Sequence, residues 1–183
     1  MRQDGAMSQM TPPSPTERLN FRRYELSDLD AVVEMFDDDE AKRWYPTKSQ
    51  PDEAERWIEW NLANYDEFGF GLWVIEDRST GTFFGDCGLT YQMVENDQLL
   101  EIGYHLQERH RGHGYALESV QSCVDFALRV LRAPTVCSIV DPRNRSSIRV
   151  AEMIHDSMRT FVNNKGNQRA LHWTDSLSSN DVS

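Results

Sequence analysis

The chain has 183 residues, enough for one domain with a sizeable core and cramped for two. A net charge of −11 argues against general binding to nucleic-acid backbones and suits either a cationic acceptor or plain solubility. No apolar run reaches the roughly 18–20 residues that span a bilayer, and Cys87, Cys123 and Cys137, odd in number and without a CxxC, fit a reducing cytoplasm.

Residues 1–16 carry Pro12, Pro13 and Pro15 but no hydrophobic segment, so they read as a disordered leader rather than a secretory signal. Met7 and Met10 are alternative starts within it, and 176–183 reads as a polar frayed tail. Between them, 17–175 is one domain. Leu19 to Tyr24 is a first strand. Ser27 or Asp28 then caps a helix with Leu29, Val32, Val33 and Phe36 on its apolar side. Asp37 to Glu40 is a run of four carboxylates leading to Trp44, Tyr45 and Pro46 in a loop, and Pro51 opens a second helix through Trp57, Ile58, Leu62 and Tyr65.

Three strands follow, at Leu72 to Glu76, Thr82 to Tyr91 and Leu99 to Leu106, the last two joined by a Glu95-Asn96-Asp97 turn. A helix opens near Gly112, with Leu117, Val120, Val124, Ala127 and Leu131 at steps of three and four. After Pro134 come a β-branched strand, Thr135 to Val140, and a shorter helix from Asn144 with Ile148, Ala151 and Ile154 inward. Strands near Met158 to Val162 and Arg169 to Thr174 complete the chain. The order predicts a mixed α/β fold, an antiparallel meander feeding a strand–helix–strand crossover: six to seven strands, mostly antiparallel, flanked by about four helices.

The richest segment is Arg109 to Ala116, Arg-His-Arg-Gly-His-Gly-Tyr-Ala, between a strand and a helix. Glycines at i and i+2 let the backbone turn without a Cβ in the way. The first helical turn then offers unpaired N–H groups and the positive end of a dipole, a site for phosphate or pyrophosphate. No Walker A run GxxxxGK[ST] exists here, and a dinucleotide fingerprint would follow a strand of a parallel sheet rather than a meander. His105, His110 and His113 straddle a strand and a turn, spacings that do not bring three imidazoles onto one helical face, so no metal is expected.

Arg-x-x-Gly-x-Gly-Tyr-Ala with Glu118, after Glu101-Ile102-Gly103-Tyr104, resembles the acyl-CoA motif of the GNAT N-acetyltransferase superfamily, and more narrowly its RimJ/RimL-like branch. The resemblance covers Arg18 to Thr174. It extends to Trp57 and Trp60, to Gly85-Asp86-Cys87-Gly88-Leu89, and to Asn144-x-x-Ser147 with Val150 and Glu152. It implies acetyl-CoA as cosubstrate, its pyrophosphate on the N–H groups of Arg111, Gly112, His113, Gly114, Tyr115 and Ala116. Its pantetheine would run beside Leu106, Gln107 and Glu108, where this strand splays from the Thr135 strand. Arg109 and Arg111 either add charge near the phosphates or are simply solvated.

Transfer to an amine needs a base, an oxyanion site and a proton for the leaving thiolate. Glu101 is the candidate base; by period-two alternation it shares a face with Gly103 and His105, and a structural carboxylate is the competing reading. Asn144 either caps its helix or touches the cofactor. Some superfamily members carry a tyrosine acid seven residues after this asparagine. Ala151 stands there, which leaves Ser147 as the candidate donor. The family's glycine after Glu152 is His155 here, so the helix loses an easy left-handed stop and the register of the last strands is open. Trp44 and Tyr45 with the carboxylate run either line an acceptor entrance suited to a cationic amine or form a solvated loop. The acceptor is expected to be a peptide N-terminus or a small-molecule amine, the chain a monomer or homodimer. A catalytically silent acyl-CoA-binding module is the alternative.

Overall fold

The computed structural model describes residues 11–176. Residues 1–10 of the expected leader and 177–183 of the expected tail lie outside it. Residues 11–16 do not behave as free leader. Pro13 is buried, the Ser14 carbonyl accepts from Ser122 Oγ (3.1 Å), and Thr16 Oγ1 donates to Glu118 at 2.5 Å.

Seven strands among the described residues form one sheet: β1 (Leu19–Arg22), β2 (Leu72–Asp77), β3 (Phe83–Val94), β4 (Asp97–Leu106), β5 (Thr135–Val140), β6 (Ser157–Val162) and β7 (Gln168–Asp175). Their order is β1-β2-β3-β4-β5-β7-β6, and every neighbouring pair is antiparallel except β4 and β5. Those two parallel strands share a single register pair, Glu101 with Cys137. Beyond it they part, so the expected splay lies directly after Glu101.

Five α-helices flank the sheet: α1 (Leu29–Met35), α2 (Asp39–Trp44), α3 (Pro51–Phe68), α4 (Tyr115–Asp125) and α5 (Arg145–Ile154). α2 occupies what reads as a loop. Its six residues are too few to show a period, and its stability comes from Asp38, whose Oδ1 caps the Glu40 and Ala41 N–H groups at 3.0 Å. Asp28, expected to cap α1 by its side chain, instead takes both guanidinium N–H groups of Arg22 (2.7 and 2.8 Å). The helix after the glycine turn is also less regular than its periodicity predicts, since Phe126–Val130 widens into a π segment.

Register sorts the strand side chains. Trp73, Cys87 and Tyr104 stand opposite one another and share the face that meets α4, where Cys87 touches Cys123 (3.5 Å) and Trp73 meets Phe126 edge-on. Val74, Asp86 and His105 share the other face, where Asp86 and His105 meet Trp57 of α3. The core fills both sides, and all three cysteines are buried free thiols. No helix among the described residues is long and apolar enough to cross a membrane.

Candidate active site

The glycine turn presents a run of unused backbone N–H groups. Gly112 (φ +79°) and Gly114 (φ +83°) take left-handed conformations that a Cβ would strain. Among the described residues no hydrogen bond uses the N–H groups of Gly112, His113, Gly114, Tyr115, Ala116 or Leu117. The Arg111 N–H is spent on the Glu108 carbonyl (3.1 Å), so the cradle begins one residue later than expected. Arg18, which carries no signal in the motif, braces it: its guanidinium donates to the His113 carbonyl (3.0 Å) and to Glu118 (2.7 Å) and lies over the Tyr115 ring.

A groove of about 530 Å³ runs from this turn between α2, α4 and α5, past Leu106, Trp44, Asn144 and Ser147 to Tyr45 and His105. Of the three residues expected along it, only Leu106 lines it. Gln107, 1% exposed, turns the other way, its amide donating to Ala31 O and Glu34 of α1, and Glu108 begins an exposed 3-10 turn. The arginines are engaged elsewhere too. Arg109 pairs with Glu34. Arg111 forks onto both Asp38 oxygens (2.8 and 2.7 Å) and the Leu106 carbonyl (2.9 Å), tying the N-terminus of α2 to the end of β4.

Asn144 acts as the cap: its Oδ1 accepts from Ser147 N (3.1 Å) and Ser146 Oγ (2.9 Å), while its amide nitrogen makes no hydrogen bond among the described residues. The Ser147 hydroxyl is likewise unpaired there, and its carbonyl accepts from Tyr104 Oη at 2.9 Å. A smaller cavity, about 180 Å³, opens where β4 and β5 part and joins Glu101 to Tyr45, Tyr104, Ser147 and Arg169. A third, about 440 Å³, reaches Glu101 and His105 from the side of Trp57, Trp60 and Lys48. Tyr45 and His105 line all three.

Glu101 sits in this junction enclosed by protein except on its cavity side. Burial pushes its pKa up to about 7, against smaller opposing pulls from the Ile139 N–H, His105 and the Thr90 hydroxyl. Beside it lies a constellation that sequence reasoning missed. Asp86, with no solvent exposure, accepts from Tyr24 Oη (2.6 Å), Trp57 Nε1 (3.0 Å) and His105 Nδ1 (2.6 Å). In the neutral imidazole tautomer with hydrogen on Nδ1, His105 Nε2 accepts from Tyr45 Oη, 3.0 Å away. The signal was available: pairing outward from the turn between Val94 and Asp97 sets Asp86 opposite His105.

The carboxylate run does not reach the Glu101 cavity, which this segment lines only with Trp44 and Tyr45. Asp37 pairs with Lys42 and Asp38 with Arg111, while Glu40, also near Arg111, lines the larger groove with Ala41. The three histidines of the meander and turn are separate: His105 is held as above, His110 stacks on Phe84 and His113 lies near Tyr115.

Residues 18–155 match the family model for the acetyltransferase (GNAT) domain. The chain belongs to the GNAT acetyltransferase family. It is 35% identical over 140 residues to the uncharacterized protein YkkB of Bacillus subtilis (strain 168), covering 76% of this chain and 81% of YkkB. The crystal structure of the acetyltransferase from Agrobacterium tumefaciens str. C58 superposes with a TM-score of 0.78 at 26% identity, over 93% of this chain and 98% of that one. RimL, the ribosomal L7/L12 α-N-protein acetyltransferase solved with coenzyme A, shares the fold with a TM-score of 0.71 at 16% identity, over 89% and 97% of the two chains. RimJ/RimL-type enzymes are thus among the structural relatives of this GNAT member, which is an acyl-CoA-dependent acetyltransferase. Unpaired N–H groups at a helix start, opening onto a long groove, fit a pyrophosphate with an extended arm.

Proposed function

We propose that this GNAT protein moves an acetyl group from acetyl-CoA to a primary amine, either the α-amine of a protein or peptide or that of a small molecule, by direct attack on the thioester. The N–H groups of Gly112 to Leu117 would hold the pyrophosphate, and Leu106, Asn144 and Ser147 would flank the pantetheine arm. The observation that carries the reading is Glu101. A carboxylate with a pKa of about 7 at the mouth of the β4–β5 opening is ionised often enough near neutral pH, and basic enough, to take a proton from an alkylammonium. Its cavity reaches the donor groove on one side and the Trp57–Trp60 side on the other.

RimL, by its name, acts on an α-amine of a ribosomal protein, which supports including peptide N-termini among the acceptors. Three reduced, buried cysteines support a cytoplasmic location. Thiol release from acetyl-CoA, measured against a panel of amines and N-terminal peptides, tests the proposal. Transfer to at least one acceptor is expected, with turnover falling about 10²-fold or more in Glu101→Gln. Tight acetyl-CoA binding with transfer to no acceptor would instead establish a binding module.

A further inference from the structure

Every acetyl transfer leaves two proton problems after the ammonium has been neutralised. The attacking nitrogen must shed a second proton, and the departing thiolate must gain one. Glu101, taken as the base under the reading above, covers the first neutralisation only. The position after Asn144 that carries a tyrosine in some superfamily members is Ala151, and the Ser147 hydroxyl has no partner among the described residues to recharge it. A different tyrosine stands at the junction. Tyr45 reaches it from the C-terminal end of α2, and its hydroxyl is bonded to His105, which is bonded to Asp86.

We propose that Tyr45 is the proton carrier of this enzyme, shuttling the amine's second proton to the thiolate, with His105 as its temporary store and Asp86 as the group that orients and balances the imidazole. As the N–C bond forms, the nitrogen's proton passes to Tyr45 Oη while the hydroxyl's own hydrogen moves to His105 Nε2. The imidazolium then rests against Asp86. When the C–S bond breaks, sulfur leaves with its electron pair and takes the hydrogen from Tyr45 Oη, and His105 Nε2–H refills the hydroxyl. No proton is left over, and the relay ends as it began. The proton that Glu101 removed from the ammonium goes to water.

Three features favour a relay over a packing role. Asp86 is a fully buried carboxylate whose three donors fix its position, so the acceptor that faces His105 Nδ1 is held rigidly. The His105 ring is wedged between Phe36, Tyr45 and Trp57, with centroids 4.9–5.4 Å from its own, and its two nitrogens are bonded to Asp86 and Tyr45. And Tyr45 faces both the donor groove and the cavity of Glu101.

The test compares wild type, Tyr45→Phe, His105→Asn, the double variant and Glu101→Gln, using acetyl-CoA with two acceptor amines, one of pKa near 10 and one near 7. Tyr45→Phe should lower kcat by about 10²-fold or more with both amines, with the KM for acetyl-CoA and calorimetric coenzyme A affinity within about threefold. Glu101→Gln, assayed about one and a half pH units above the pKa of the weakly basic amine, where that amine is almost wholly neutral, should lose its defect with it. His105→Asn should match Tyr45→Phe, and the double variant should be no slower than either, as for groups acting as one unit. Retention of most of kcat in Tyr45→Phe, or multiplicative losses in the double variant, would overturn the relay. A wild type that acetylates no amine would overturn the acetyltransferase reading and the relay with it; an active wild type beside an active Tyr45→Phe removes the relay alone.

Discussion

At pH 8 the Glu101 carboxyl is ionised both in the unfolded chain, from an ordinary pKa of 4.5, and in the folded protein, from one of about 7. The folded state alone bears the cost of that charge, because burial has removed its water. Below about pH 4.5 both states are protonated and the difference vanishes; between 4.5 and 7 the folded state holds more protons, so stability attributable to this group falls as pH rises. Glu101→Gln should therefore melt higher than wild type at pH 8, with the gain shrinking to nothing by about pH 4.5, while turnover is lost. In the wild type the same ionisation should make kcat/KM rise with pH through about 7, and the limb should disappear in the variant. Thermal scans and rate profiles across this window check both halves. A variant less stable than wild type at pH 8 would show the carboxylate to be a structural group.

Between elements, the Arg111–Asp38 fork decides where Tyr45 stands. Burial pushes the Asp38 carboxyl up, but Arg111 and the N–H groups of Ala41 and Glu40 outweigh it and hold the carboxyl below its usual range. One guanidinium thus joins the start of α2 to the end of β4; Tyr45 follows the opposite end of that short helix, and His105 immediately precedes the tied Leu106. Arg111→Met keeps the stem and deletes the fork, leaving Asp38 without its charge partner. A loss of about 1–3 kcal/mol is expected, about 2–4 °C of melting temperature per kcal/mol for a chain this size. Because the guanidinium serves the fold, kcat should fall more than acetyl-CoA affinity; a large rise in KM with an unchanged melting temperature would return Arg111 to the phosphates. This is also where reading the sequence stopped. The turn and α4 were legible because two glycines and a three-four period are local signals. α2 was not, since its six residues are held by a partner 73 positions away. The end of α5 shows the same limit. His155 takes an extended conformation (φ −104°, ψ 145°) rather than a left-handed one, and its ring, bonded to Ser138 (3.0 Å) and Thr174 (3.1 Å), plugs the helix end onto β5 and β7. No glycine was needed, because tertiary hydrogen bonds replaced the backbone stop.

Across the whole molecule, the sheet is two blocks joined where it is weakest. β1 to β4 are knit by antiparallel ladders of four or more register pairs, broken only by a register shift between Ile75 and Glu76, and so are β5, β7 and β6, whereas β4 and β5 share one register pair. The groove proposed for the donor starts from the β4 side of that seam, with walls from α2, β4, α4 and α5. A ligand filling it needs α2, β4, α4 and α5 together and binds only the folded chain, so acetyl-CoA should stabilise the protein by mass action, about 2.7 kcal/mol at a hundred times its dissociation constant. For a chain of this length that is a rise of about 5–11 °C. The two ends of such a ligand would contribute unequally. Under the proposed reading the unpaired N–H groups of Gly112 to Leu117 would meet the pyrophosphate without carrying charge, and the net charge of −11 gives no general attraction for a polyanion. Acetyl-pantetheine, which has the arm without the nucleotide, should therefore give a much smaller shift at the same concentration. Raising the salt should not weaken the acetyl-CoA shift, because screening also removes the long-range repulsion. Thermal scans with the two donors at low and high ionic strength check this; equal shifts from both would move the binding energy away from the glycine turn and onto the arm.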